Sequence, residues 1–161
     1  MPRTPTSKLP WLTREGYLDL TKLPLESSYR QALSEDRDEA RSALRVLRSA
    51  AGTGRKDAAV FLLGLLVHAG PEDWEVRSEI ADALRDVPAP SCSALLFSEL
   101  RRVKSSNTTR RYLATVLRTL AHFPLDLVRE GLEALAEDKT FSPKMRARFH
   151  AVARRGPEGL R

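Results

Sequence analysis

The sequence is poor in the residue types that build reactive sites. It has one cysteine, Cys92, so no internal disulfide can form and no cysteine cluster can hold a metal. Its three histidines, His68, His122 and His150, are far apart and show no ligand spacing. No metal and no cofactor is expected. Aromatic residues are 6% of the chain, too few for a base-stacking platform. The longest apolar run, Ala58 to Val67, is ten residues, whereas a membrane-spanning helix takes about 20. No membrane association is expected. Met1-Pro2-Arg3-Thr4-Pro5 leads into no apolar signal core, which makes a cytoplasmic protein the expectation. After residue 25 no alternating strand pattern survives.

What is present is a globular composition. The 161 residues are 42% hydrophobic and 30% charged, and a chain of this size needs no disulfide or metal to bury a core. The net charge of +6 is concentrated: residues 142–161 carry six basic and one acidic side chain, a net of +5. That is a local basic patch and not a uniformly basic protein.

Residues 1–25 combine Pro2, Pro5, Pro10 and Pro24 with Trp11, Leu12, Tyr17, Leu18, Leu20, Leu23 and Leu25. The prolines interrupt any helix, and the apolar residues are too many for a solvated tail. This stretch reads as an arm, with Trp11 as its anchor, that packs on the domain or on a partner. Residues 26–161 read as one all-α domain. Helices are predicted over 26–50 (with a break near Ser34-Glu35-Asp36), 55–68, from Pro71-Glu72-Asp73 to Val87, from Pro90-Ser91 to Lys104, from an Asn107 or Thr108 cap to His122, from Pro124 to Glu137, and from Ser142-Pro143 to Arg155. Gly156-Pro157 stops the last. The turns between them are expected to take 2–5 residues.

The helices repeat. Ile80-Ala81-Asp82-Ala83-Leu84-Arg85 aligns with Leu113–Arg118 at an offset of 33 residues, and that stretch with Phe149–Arg154 at 36. Arg77, Arg110 and Arg146 coincide in the same frame. Helix pairs recurring at this spacing imply stacked hairpins, each burying a face on its neighbours. The run Asp73-Trp74-Glu75-Val76-Arg77 with Ile80, Ala81, Ala83 and Leu84, and Pro71 just ahead, resembles the start of a repeat in the HEAT-repeat family, including its short bacterial members. The resemblance covers about residues 36–156. It implies a short right-handed α-solenoid of about three and a half hairpins, in which Asp73, Arg77, Arg110 and Arg146 belong to a polar ladder between repeats. Asn107 and Thr108 stand where the family has an acid. The motif implies a scaffold and no reaction. The last helix is then a first helix without its partner, and its stripe of Met145, Phe149 and Val152 leaves an open flank for another chain or for the N-terminal arm of a second copy, unless it simply packs on the preceding hairpin.

Candidate chemistry is sparse. Gly52-Thr53-Gly54-Arg55-Lys56 has one residue between its glycines, whereas a phosphate loop needs four; it reads as a hairpin turn. The acids Glu72, Asp73, Glu75, Glu79, Asp82 and Asp86 read as solvated charges. Cys92 reads as a passive small residue at a helix start, where a dipole can lower a thiol pKa. The basic cluster stands above this background. Lys144, Arg148 and Arg155 project within about 40° of one another on a helix, with Arg146 elsewhere on its surface and Arg110 and Arg111 at the start of another helix. The expected function is a non-enzymatic protein–protein interaction or scaffold module whose partner is another, acidic protein. The alternative is sequence-nonspecific nucleic-acid binding through the same surface. A small enzyme on such repeats, in the manner of the longer helical-repeat alkylpurine DNA glycosylases, has no catalytic constellation to map here.

Overall fold

The computed structural model describes residues 9–70 and 73–161. The first residues of the arm, and Pro71 and Glu72 at the predicted helix opening, lie outside the described residues. Among the described residues the protein is all-α, with eight α-helices, two 3-10 turns and no strand. No helix among them is long and apolar enough to cross a membrane. The chain divides into two compact units, one ending at Phe61 and one running from Leu62 to Arg161.

The first unit holds α1 (Glu26–Ala32), α2 (Arg37–Gly52) and the opening of α3 (Lys56–His68). The predicted break falls at residues 33–36, because Asp36 caps α2 by accepting from the backbone N–H groups of Asp38 and Glu39 at 3.0 and 3.3 Å. α2 buries Ala40, Ala43, Leu44, Leu47, Ala50 and Ala51, the one-sided spacing of an amphipathic helix, and α1 packs along it. The Tyr29 and Phe61 rings meet at 4.3 Å. Ahead of α1, residues 12–18 form a tight turn, closed by the Leu12–Leu18 bridge and by Thr13 N–H to the Tyr17 carbonyl at 2.8 Å. Gly16, at φ +86°, supplies its left-handed corner. Trp11 is half-buried, but the side chain that ties the arm down is Arg55. It donates to the carbonyls of Leu20 and Leu23 at 3.1 and 2.7 Å, and Asp57 steadies its other edge at 2.9 and 2.6 Å. The Gly52–Lys56 stretch is therefore a turn, as expected, and it carries the arm's tether.

The second unit continues with α4 (Trp74–Ala83), which runs into a 3-10 turn over Leu84–Asp86, and then α5 (Pro90–Arg102), α6 (Arg110–Ala121), α7 (Leu125–Glu137) and α8 (Pro143–Arg155). α4 packs on α6, α5 on both α6 and α7, and α7 on α8. Leu96, Leu117, Leu120, Leu132, Leu135 and Phe149 are at most 1% exposed between them; each such side chain stabilises by roughly 1.5–3 kcal/mol.

Two expectations need correction. α6 is not capped by Asn107 or Thr108. The α5–α6 link spans 103–109, longer than expected, because Ser106 and Thr109 cap each other. Ser106 N–H donates to Thr109 Oγ1 at 2.9 Å and Thr109 N–H to Ser106 Oγ at 3.3 Å, a variant of the reciprocal capping box. The predicted open flank of the last helix is also largely covered, and only its Met145 end borders a recess. Gly156, at φ +60°, ends α8, and a 3-10 turn over Gly156–Leu160 folds back against α8 and α6. Phe149 and Val152 are fully buried and only Met145 of the predicted stripe is part-exposed.

The fold-back depends on Gly159, where a Cβ would stand 2.4 Å from the Ala151 backbone. Gly159→Ala is expected to cost about 1–3 kcal/mol. Gly64→Ala, in α3 with nothing within 4 Å of an added Cβ, is expected to gain roughly 0.5–1 kcal/mol. Urea unfolding of the two variants checks this; equal midpoints would mean that the C-terminal turn does not seat on α8.

Candidate functional site

The polar centre of the second unit is the Glu99 carboxylate on α5. Its Oε2 accepts from Arg77 Nη2 of α4 at 2.7 Å, from the Tyr112 hydroxyl of α6 at 2.5 Å and from Arg102 Nη2 at 2.9 Å. Its Oε1 accepts from Arg102 Nε and Nη2 at 3.0 and 2.9 Å. Arg77 also donates to the Ala69 carbonyl at 3.1 Å, and its guanidinium carbon lies 6.0 and 5.6 Å from the centroids of the Trp74 and Tyr112 rings. The Arg77 and Glu99 side chains are 4% and 6% exposed. Burial alone would raise the Glu99 pKa, but the three donors outweigh it and hold the group below its ordinary 4.5. Burial, and then the bond to Glu99, push the Tyr112 phenol upward. A carboxylate held ionised by so many donors is poorly suited to general-acid work and well suited to fixing three helices.

Sequence reasoning missed Glu99 and assigned Arg77 to a ladder with Asp73. Asp73 caps its own helix, accepting from Val76 N–H at 3.3 Å, and the carboxylate that Arg77 meets is Glu99. The other ladder arginines differ from it. Arg110 is exposed and donates to Asn107 Oδ1 at 3.2 Å. Arg146 is half-buried; its Nε, like that of Arg77, has no hydrogen-bond partner among the described residues.

Beyond Glu99, α5 ends at a trough of about 490 Å³, bounded by the α5–α6 link and the α7–α8 turn. Leu100, Val103, Leu113 and Phe149 form its floor, with Phe141 and Met145 as half-buried walls. The rim is Arg101, Lys104, Ser105, Thr140 and Ser142. Every ionisable group lining it is a cation.

The predicted basic patch is exposed at Arg110, Arg111, Lys144 and Arg155, and half-buried at Arg146 and Arg148. None of the six has an ion-pair partner within 4.0 Å among the described residues, in contrast to Arg55, Arg77, Arg85 and Arg102. The structure does not gather the six at one place. None of the six lines the trough, although Lys144 is next in sequence to Met145, and Arg110 and Arg111 stand in the turn of α6 before Leu113. Arg155 lies about 16 Å further along α8, where it joins His150 and Arg154 around a shallow depression of about 440 Å³ over Ala147 and Ala151.

The remaining candidates are quiet. Cys92 is fully buried, and burial pushes its thiol up to about 12, so it stays protonated. Asp82 pairs with Arg85 at 3.1 Å, and Glu72 lies outside the described residues. No group of three or more metal-ligating side chains assembles among the described residues. Compared with known proteins, the chain matches no family model, no curated protein and no solved structure.

The Glu99 cluster makes stability depend on pH with a definite sign. A carboxylate whose folded pKa is depressed contributes fully above its unfolded value and loses that contribution as pH falls through the folded one. Wild-type stability is therefore expected to decline below about 4.5. Glu99→Gln, which leaves Arg77 buried without a counter-charge, is expected to cost about 3–5 kcal/mol at neutral pH and to flatten the acid limb. Urea titrations across the acid range check both; an unchanged acid limb in Glu99→Gln would remove the group from this role.

Proposed function

We propose that this chain is a non-enzymatic interaction module, a HEAT-like stack of helical hairpins that binds an acidic protein through the cations of its C-terminal half. A cytoplasmic setting belongs to this reading. The observation that carries it is the state of Lys144, Arg148 and Arg155: they share one face of α8, and no carboxylate within ion-pair distance neutralises them among the described residues. Cations left free on a packed helix steer an oppositely charged partner and fix its orientation without reorganising. Stacking of α4 on α6 and of α5 on α7 supports the HEAT-like reading. The saturation of Glu99 and the burial of Cys92 support a role without chemistry.

Nucleic acid is the second reading, favoured by the same unneutralised cations. The apolar trough beside Lys144 weighs toward a protein, since a phosphate backbone has no use for it. The triple variant Lys144→Glu/Arg148→Glu/Arg155→Glu separates the cases. It is expected to keep the wild-type circular dichroism and to lose binding to acidic proteins captured by the wild-type chain, by about tenfold or more. A labelled generic duplex and single strand, followed by anisotropy, are expected to show no saturable binding at near-physiological salt. Tight duplex binding that weakens steeply with salt and is lost in the triple variant would transfer the function to nucleic acid.

A further inference from the structure

The chain carries two unpartnered features whose chemistry matches. One is the trough at the end of α5. The other is the turn at residues 12–18, which exposes Tyr17 at 73% and Leu18 at 58%. Together with Leu9 and Leu12, at 37% and 41%, these make the arm the place where large exposed apolar side chains concentrate. Scattered exposed leucines need no explanation, but adjacent ones on a built turn mark a contact surface.

We infer that the trough of one copy is the docking cleft for the Glu15-Gly16-Tyr17-Leu18 turn of a second copy of this chain. The turn is formed in advance: the Leu12–Leu18 bridge, Thr13 N–H to the Tyr17 carbonyl at 2.8 Å, and Tyr17 N–H to Thr13 Oγ1 at 3.0 Å hold it. A preformed tip loses little freedom on docking. Tyr17 and Leu18 supply an aromatic and an aliphatic anchor for the walls made by Phe141 and Met145. The turn exposes one cation, Arg14, and one acid, Glu15; it is Glu15, next to Gly16 and Tyr17 in the docking segment, that suits a trough lined by Arg101 and Lys104 and by no carboxylate. Arg101 already acts on Asp138, whose carboxyl is held low chiefly by Thr140 and to a lesser degree by that guanidinium; Lys104 is thus the freer partner for Glu15. The contact joins two different surfaces and is head-to-tail, so it closes into a ring or extends with concentration. It uses neither Arg148 nor Arg155, but it occupies the trough next to Lys144, and so it borders the binding face proposed above at that residue.

The test uses full-length chains. Sedimentation of the wild type over a wide concentration range is expected to show mass above the monomer. Tyr17→Ser/Leu18→Ser and Lys104→Glu are each expected to weaken association about tenfold or more. The sequence has two methionines, Met1 and Met145, so a methyl-labelled chain reports the trough directly. A labelled Tyr17→Ser/Leu18→Ser chain, whose trough is intact, is mixed with an unlabelled Lys104→Glu chain, whose turn is intact. The Met145 resonance is expected to shift on this mixing and to stay in place when both chains carry Tyr17→Ser/Leu18→Ser. Monomeric wild type at every concentration overturns the proposal. So does association that survives both variants, or a Met145 resonance that ignores the intact turn.

Discussion

A single buried carboxylate organises the C-terminal unit. Glu99 gathers Arg77 from α4, Tyr112 from α6 and Arg102 from its own helix. Removing such a group from water is costly, and only near-complete hydrogen bonding offsets it. Here both oxygens are engaged, and the guanidinium that reaches deepest lies within 6.0 Å of the centroids of both the Trp74 and the Tyr112 ring, which themselves touch. The arrangement selects a register. A slide of α4 or α6 by one turn, about 5.4 Å, would strand either the arginine or the carboxylate, a penalty that apolar contacts between similar leucines would not impose. The end of α5 is fixed by the same bonds. With Arg102 turned back to Glu99, Leu100 and Val103 face the trough while Arg101 and Lys104 stand at its rim.

Much of the helical text was readable because helix ends carry local chemistry. Ser142-Pro143 announces its helix through side chain and ring geometry alone and does so in the structure, whereas Asp36, which reads only as part of a break, caps α2 there. Glu99 was not readable for an equally physical reason. In sequence it stands three residues before Arg102, the spacing of a solvent-facing helical ion pair, and nothing local says that Arg77, 22 residues earlier, enters from behind. The same limit hid the Ser106–Thr109 cap, which depends on a loop conformation, and the tether of the arm, where Arg55 lies inside what reads as a simple turn. Gly156-Pro157 read as a stop; that the chain then covers α8 depends on Gly159 meeting Ala151, a contact no periodicity encodes.

Arg77, Arg110 and Arg146 show what the internal repeat specifies. They occupy one position of the repeating frame, yet one is buried on a carboxylate, one donates to an asparagine at the surface, and one is half-buried with no ion-pair partner among the described residues. The recurrence is a recurrence of helical phase. Apolar positions return at the same angle and bury the same side of each helix, whereas the polar residue beside them takes whatever partner its own neighbours supply. The HEAT-like reading proposed above therefore rests on the spacing of Ile80, Ala81 and Leu84 and not on the ladder.

Charge is distributed by the same logic. Arginines at helix junctions with an acid in reach are consumed structurally: Arg55 by Asp57, Arg77 and Arg102 by Glu99, Arg85 by Asp82. The last twenty residues contain one acid, Glu158, against six cations, so α8 cannot neutralise itself. In water this surplus costs little, because like charges at surface spacing are screened within about 8–10 Å at cellular salt. A cost that small needs no compensation within the fold. The cations of α8 are therefore not consumed by the fold, and Lys144 stands next in sequence to Met145, which walls the apolar trough.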